Sequence, residues 1–168
     1  MSAREGDGNR SMRPGDLPEC DALLVIACGN ELRGDDGAAV RAAALIAERY
    51  RAVRVIVVRQ LTPELAADIA TAARVVYIDA YAASDPYAPL RVERLMPNAA
   101  SAAPLLAHRG DSAVLSALCA RLFDYFPETW VVGIPAYDCA AGAAISFATV
   151  RRIEEAIELF SAWAPDAE

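Results

Sequence analysis

Two adjacent acids, Asp35 and Asp36, follow the first apolar run of the chain, residues 23–27, in a segment that contains several glycines. The segment leads into a stretch with helical spacing, so the sequence predicts a turn between a strand and a helix. Such turns border the ligand crevice of open α/β sheets, and the helix start adds a positive dipole end. Acids there cap the helix or hold a cation. We expect Asp35 to be the cap, which leaves Asp36 to face the crevice.

A third acid, Asp79, ends the apolar run 75–78, where a carboxylate without a core partner would be costly. It is therefore expected to face the crevice at the carboxyl edge of a central strand. If the first and third strands are neighbours, Asp36 and Asp79 converge at the point where the winding of the sheet reverses. A shared proton or a cation would relieve the repulsion between two such carboxylates.

His108 is the single histidine of the chain. We expect it in a loop, ahead of a helix that Asp111 or Ser112 would cap. A lone histidine is more often a surface residue than a ligand. Together with Asp36 and Asp79, however, it would form a three-ligand site that suits nickel or zinc and leaves positions open for a further ligand.

The elements that must position these residues follow from the apolar pattern. Short β-branched or aliphatic runs alternate with alanine-rich segments of helical spacing, which is typical of βαβ units. The predicted strands are residues 23–27, 53–58, 75–78 and 130–134, with a half-exposed edge strand at 90–95. The predicted helices are 36–50, 63–72, 112–125 and 147–163.

Composition limits the classes of protein to consider. The 168 residues fit one domain, predicted over residues 21–165, after a disordered lead-in of residues 1–20 that lacks the apolar region of a signal peptide. A net charge of −7 argues against a nucleic-acid partner, and the apolar runs are too short to span a membrane. Four scattered cysteines indicate free thiols in the cytoplasm, and the absence of lysine excludes Schiff-base chemistry.

Other catalytic patterns are weaker. The glycines do not form a dinucleotide fingerprint or a phosphate-binding loop, and no GxSxG elbow is present for a serine nucleophile. Cys28 or Cys139 could pair with His108, although neither has a local signature, and Cys28 is expected to be a packing residue.

Residues 29–39, GNELRGDDGAA, resemble the opening pattern GNxLxGDDGxG of the hydrogenase maturation proteases. The sequence Ile78-Asp79-Ala80 matches the family's second metal-binding acid, His108 matches its histidine, and the similarity extends over about residues 21–163. Three segments depart from the family. Ala39 replaces a glycine, residues 60–64 replace a glycine-rich DGGT stretch, and residues 107–110 differ from the usual SPHxLG.

The resemblance implies a three-layer α/β/α sandwich of the phosphorylase/hydrolase-like type. Its five-stranded mixed sheet would have the order 2-1-3-5-4, with strand 4 antiparallel. It also implies a cytoplasmic, aspartic-type endopeptidase that removes a C-terminal extension from a nickel-iron hydrogenase large-subunit precursor after nickel insertion. Asp36, Asp79 and His108 would recognise nickel that the precursor carries, or another divalent metal in vitro.

Two alternatives remain open at this point. A non-catalytic hydrogenase assembly factor would keep the fold but would have lost cleavage through the altered 60–64 segment. A nucleoside-type small-molecule binding protein would hold its ligand over the first strand-to-helix turn, although Glu31, Asp35 and Asp36 would repel phosphates there.

Overall fold

The chain forms a five-stranded sheet between two layers of helices. The computed structural model describes residues 23–97 and 107–164, except for the side chains of 107–110. The strands are β1 (Leu23–Cys28), β2 (Arg54–Val58), β3 (Arg74–Ala82), β4 (Arg91–Leu95) and β5 (Glu128–Ala136). The helices are α1 (Ala38–Arg49), α2 (Leu65–Ile69), α3 (Ala107–Phe123) and α4 (Phe147–Phe160), with a 3₁₀ turn at Gly34–Gly37 before α1. The predicted lead-in, residues 1–20, lies outside the described residues.

The sheet order is β2-β1-β3-β5-β4, and β4 runs antiparallel to β5 while the other pairs are parallel. The predicted fold is therefore confirmed. The buried residues form two apolar clusters, one on each face of the sheet, with α1 and α4 on one face and α2 and α3 on the other. None of the helices in the described ranges is long and apolar enough to cross a membrane.

Two predicted helices differ from the structure at their starts. The segment predicted as a helix over 63–72 is helical only at Leu65–Ile69, because residues 62–64 form a turn in which Thr62 and Pro63 accept the first backbone hydrogen bonds. The other difference is larger. Helix α3 begins at Ala107, so Asp111 and Ser112 lie inside the helix and not at its start.

One row of residues crosses the sheet near the carboxyl ends of its parallel strands. Cys28 pairs with Asp79, Asp79 pairs with Gly133, and Gly133 pairs with Arg91. We call these four residues the edge row. Side chains alternate between the faces of a strand. Ile26, Tyr77 and Val131, which lie two positions before Cys28, Asp79 and Gly133, belong to the apolar cluster on the α2/α3 face. The edge row therefore faces the α2/α3 side of the sheet.

Candidate functional site

The turn after β1 is held in a tight conformation by two glycines. A Cβ atom at Gly29 would overlap the carbonyl oxygen of Asp36, which accepts a hydrogen bond from the N–H of Asn30 at 3.2 Å. Gly34 has a φ of +51°, and a Cβ atom there would overlap the carbonyl oxygen of Asp138. The glycines thus let the turn fold back on itself and let a distant loop approach it.

Asp35 is completely buried and binds the loop between β5 and α4. Its Oδ2 accepts hydrogen bonds from the N–H groups of Tyr137 and Asp138 at 2.8 and 3.0 Å and from the hydroxyl of Ser146 at 2.9 Å. Its Oδ1 accepts from the N–H of Ser146 at 2.6 Å. The predicted capping role is therefore wrong, since neither the 3₁₀ turn nor α1 has a side-chain cap.

The environment of Asp35 keeps it ionised. Burial by itself would raise the pKa of this carboxyl group, but the hydrogen bonds from Ser146, Tyr137 and Asp138 outweigh burial and lower it. An ionised carboxylate can accept all four hydrogen bonds, because it needs no acceptor of its own. It therefore matches the four N–H and O–H groups that surround it.

Asp36 and Asp79 line one cavity of about 450 Å³ at the carboxyl edge of the sheet. Both residues are half-buried. The 3₁₀ turn presents Asp36, while the pairing of β1 with β3 places Asp79 beside Cys28. One oxygen of Asp79 accepts a hydrogen bond from the N–H of Ala80 at 2.8 Å. Further walls come from the loop after β2, from α3 and from the β5–α4 loop, through Arg59, Gln60, Leu61, Asp111 and Cys139.

Acids, thiols and the two arginines Arg33 and Arg59 line the cavity. Burial raises the pKa of the Cys28 thiol to about 11, and the charges of Asp79, Asp36 and Asp111 add to the rise. Burial also raises the pKa of Cys139, with Asp36 contributing. A thiol with so high a pKa is almost entirely protonated at neutral pH, which argues against a cysteine nucleophile here.

Cys28 has a second role, which the sequence did not indicate. Its Sγ donates to the carbonyl oxygen of Arg59 at 3.5 Å, and the N–H of Leu61 contributes a hydrogen bond to the same sulfur. Cys28 therefore contacts the loop that carries Gln60 instead of packing only in the core. This loop is part of the segment that departs from the family pattern.

His108 lies in the first turn of α3 and not in a loop, so its predicted local structure is wrong. Its side chain is outside the described part of the structure, and its place relative to Asp36 and Asp79 stays a prediction. Among the side chains that the structure does describe, no group of three His, Cys, Asp or Glu residues could hold a metal ion. Two of the three predicted ligands thus share a cavity.

Asp111 is a cavity residue that sequence reasoning assigned to a helix cap. It lies one turn after His108 in α3 and faces the same cavity as Asp36 and Asp79. No local signal distinguishes an acid at a helix start from an acid inside the first turns of a helix. Only the position of α3 against the sheet decides what Asp111 contacts.

No protein-family model and no curated protein matches the chain. Its structure is similar to that of the [NiFe] hydrogenase maturation protease HybD from Thermococcus kodakarensis, with a TM-score of 0.70 and 25% identity over 85% of this chain and 99% of that one. The hydrogenase maturating endopeptidase HybD from E. coli gives a TM-score of 0.67 and 22% identity, over 84% and 90%. An endopeptidase from Escherichia coli, solved in solution, gives 0.66 and 20%, over 86% and 96%.

Proposed function

We propose that this chain, which has the fold of the hydrogenase maturation proteases and resembles them in residues 29–39, is a processing endopeptidase. Its substrate would be a nickel-iron hydrogenase large-subunit precursor, from which it removes a C-terminal extension after nickel has been inserted. The reaction would take place in the cytoplasm, in keeping with the free thiols Cys28, Cys119 and Cys139.

The observation that carries this proposal is the shared cavity of Asp36 and Asp79. One acid belongs to the turn that resembles the family motif. The other lies within β3, three residues before its end and more than forty residues later in the chain. The sheet order brings β1 and β3 together, so both carboxylates face the same cavity. Without a cation or a proton between them, two carboxylates in one cavity repel each other.

The donor set suits a metal that arrives with the substrate better than a resident one. Two carboxylates and one imidazole, from His108, would leave coordination positions open, and soft thiolates on the precursor can fill them. Nickel would then be recognised as part of the substrate, so that cleavage follows metal insertion.

In the proposed reaction, hydrolysis adds one water molecule across the peptide bond. The water oxygen attacks the carbonyl carbon, a base takes one proton from the water, and the leaving amine gains a proton. The carboxylates that face the cavity are Asp36, Asp79 and Asp111, and one of them would accept the proton. The nickel in the precursor would polarise the carbonyl group or hold the peptide in position.

The two alternatives can be separated by experiment. Asp36, Asp79 and Asp111 repel the phosphates of a nucleotide, whereas Arg33 and Arg59 in the same cavity attract them, so a binding measurement with a nucleotide tests this alternative. A non-catalytic assembly factor would bind the precursor and leave its length unchanged.

Intact-mass analysis of a large-subunit precursor, incubated with the purified protein in its nickel-loaded and metal-free forms, tests the proposal. We expect a shortened product only from the nickel-loaded precursor. Binding of that precursor without cleavage would favour the assembly factor. Equal cleavage of both forms would refute the recognition of nickel.

A further inference from the structure

A second cavity, of about 260 Å³, lies beside the candidate site on the α2/α3 side of the sheet. It shares three wall residues with the first cavity, namely Cys28, Leu61 and Asp79. A chain bound across Asp79 would therefore have access to both cavities.

The second cavity lies over the part of the edge row that contains a glycine. Gly133 lies between Asp79 on β3 and Arg91 on β4, and the side chains of Tyr81 and Arg91 pack over it. A Cβ atom built at Gly133 would lie 3.2 Å from Cδ1 of Tyr81 and 3.3 Å from Cβ of Arg91, which is closer than a relaxed contact. Adjacent strands are separated by about 4.8 Å, so Asp79 and Arg91 are separated by roughly 10 Å across Gly133.

The walls of the cavity are mainly apolar. Ile26, Leu61, Tyr77 and Val131 supply the apolar side chains, and Ser112 adds one polar wall residue. At the end away from Asp79, the guanidinium carbon of Arg91 lies 3.6 Å from the centre of the Tyr81 ring, so the arginine forms a flat wall. For scale, an engineered apolar cavity of about 150 Å³ binds benzene, so this cavity has room for a large side chain.

We propose that this cavity is a specificity pocket for one apolar side chain of the substrate, within two residues of the peptide bond that is cut. The proposal rests on the proposed endopeptidase function, because the continuity with the cavity of Asp36 and Asp79 links the pocket to cleavage. A large aliphatic or aromatic side chain fits it best.

The charges around the pocket favour a neutral occupant. A basic side chain would be attracted by Asp79 but repelled by Arg91. An acidic side chain would be attracted by Arg91 but repelled by Asp79. Either charge would also lose its hydration against Ile26, Tyr77 and Val131 without a dedicated partner for each of its polar atoms. An apolar side chain has no such cost, and its burial is favourable.

The first experiment measures cleavage of nickel-loaded precursors in which each residue within two positions of the cut is changed in turn to Ala, Leu, Phe, Asp or Arg. At one position, we expect precursors with Leu or Phe to be cleaved at least about tenfold faster than precursors with Ala, Asp or Arg. The variant Gly133→Ala should weaken this preference, because the added methyl group would lie 3.2 Å from the Tyr81 ring and 3.3 Å from Cβ of Arg91 and would displace these wall side chains. Leu61→Ala should favour Phe, because it widens the pocket.

Val92→Ser is the matched control, since Val92 follows Arg91 on β4 and its exposed side chain lies on the opposite face of the strand. It should leave the preference unchanged. Cleavage by the wild type with no apolar preference at any position would overturn the pocket and leave the proposed function standing. An unchanged preference in both Gly133→Ala and Leu61→Ala would also overturn it.

The second experiment does not depend on cleavage. ¹⁵N-labelled full-length protein is titrated with N-acetyl-leucinamide, and N-acetyl-glutaminamide serves as the polar control. We expect saturable amide shifts around residues 131–134 with the leucine compound only, and at least about tenfold weaker binding to Gly133→Ala. If the wild type cleaves no precursor, the proposed function fails. This titration then tests the proposed pocket by itself, and an absence of amide shifts with the leucine compound would refute the pocket.

Discussion

The two faces of the sheet differ in what borders them. On the α1/α4 face, small residues of α1 let the helix lie close to the sheet, and Phe160 contacts Tyr50 and Trp163 at ring-centre distances of 5.5 and 6.4 Å. The described part of the α2/α3 face borders both cavities, which open near the loop before the five-residue helix α2. The comparison indicates that one face serves packing and that the other borders the space for a ligand.

The adjacent acids Asp35 and Asp36 also differ in this way, since one makes structural contacts and the other borders a cavity. Asp35 is buried and uses both oxygens to bind the β5–α4 loop, whereas Asp36 is half-buried and faces the cavity. The loop that Asp35 binds carries Cys139, a wall residue of that cavity. The first acid therefore supports the site, and the second acid belongs to it.

The largest expected effect is on stability, from Phe160→Ala on the packed face. Phe160 is 1% exposed, and removal of such a ring costs about 3–5 kcal/mol of unfolding free energy. Urea unfolding should show this loss, whereas Leu122→Ala at an exposed position of α3 should stay within about 0.5 kcal/mol. A loss below about 1 kcal/mol for Phe160→Ala would contradict the division between the faces.

The next effect is on activity, from Asp36→Asn and His108→Ala. Loss of a metal-recognising group should slow precursor processing by about 100-fold or more, because even outer residues of metal sites contribute 10–100-fold. Stability should change little. The control Glu31→Gln removes an exposed acid from the same turn and should leave the processing rate intact. Full processing by a well-folded His108→Ala variant would contradict its proposed role.

Asp35→Asn should show the reverse pattern, with a loss of stability of about 1–3 kcal/mol. An amide in this position retains one acceptor oxygen, and its NH₂ group then faces the N–H of Ser146 or the three donors at the other oxygen. Paired unfolding curves of Asp35→Asn and Asp36→Asn measure this difference. Equal stability of the two variants would show that the buried hydrogen bonds contribute nothing.

The smallest effect concerns pH. Because the pKa of Asp35 is lowered in the folded state, its contribution to stability is present above the unfolded value of about 3.9 and is lost as the pH falls through the folded value. The stability difference between wild type and Asp35→Asn should therefore shrink from pH 6 to pH 3. Urea midpoints at several pH values measure it, and a difference that grows towards acid would have the wrong sign.

The sequence by itself determined the local pattern of the chain. The apolar runs predicted four of the strands, and an imperfect alternation predicted the edge strand. The run 75–78 ended the third strand too early, because pairing with β5 continues β3 to Ala82 and places Asp79 within it. The resemblance of residues 29–39 to a known family supplied the strand order, which periodicity does not encode.

Only the tertiary structure decided which residues meet across the sheet. Asp35 binds Tyr137 and Ser146, which follow it by about a hundred residues, so a local capping rule could not reveal these partners. The start of α3 was also missed, because helix ends depend on packing as well as on propensity. The close approach of Tyr81 and Arg91 to Gly133 arises in the same way. It depends on the register of β3, β5 and β4, and register is a long-range property that no single segment of sequence specifies.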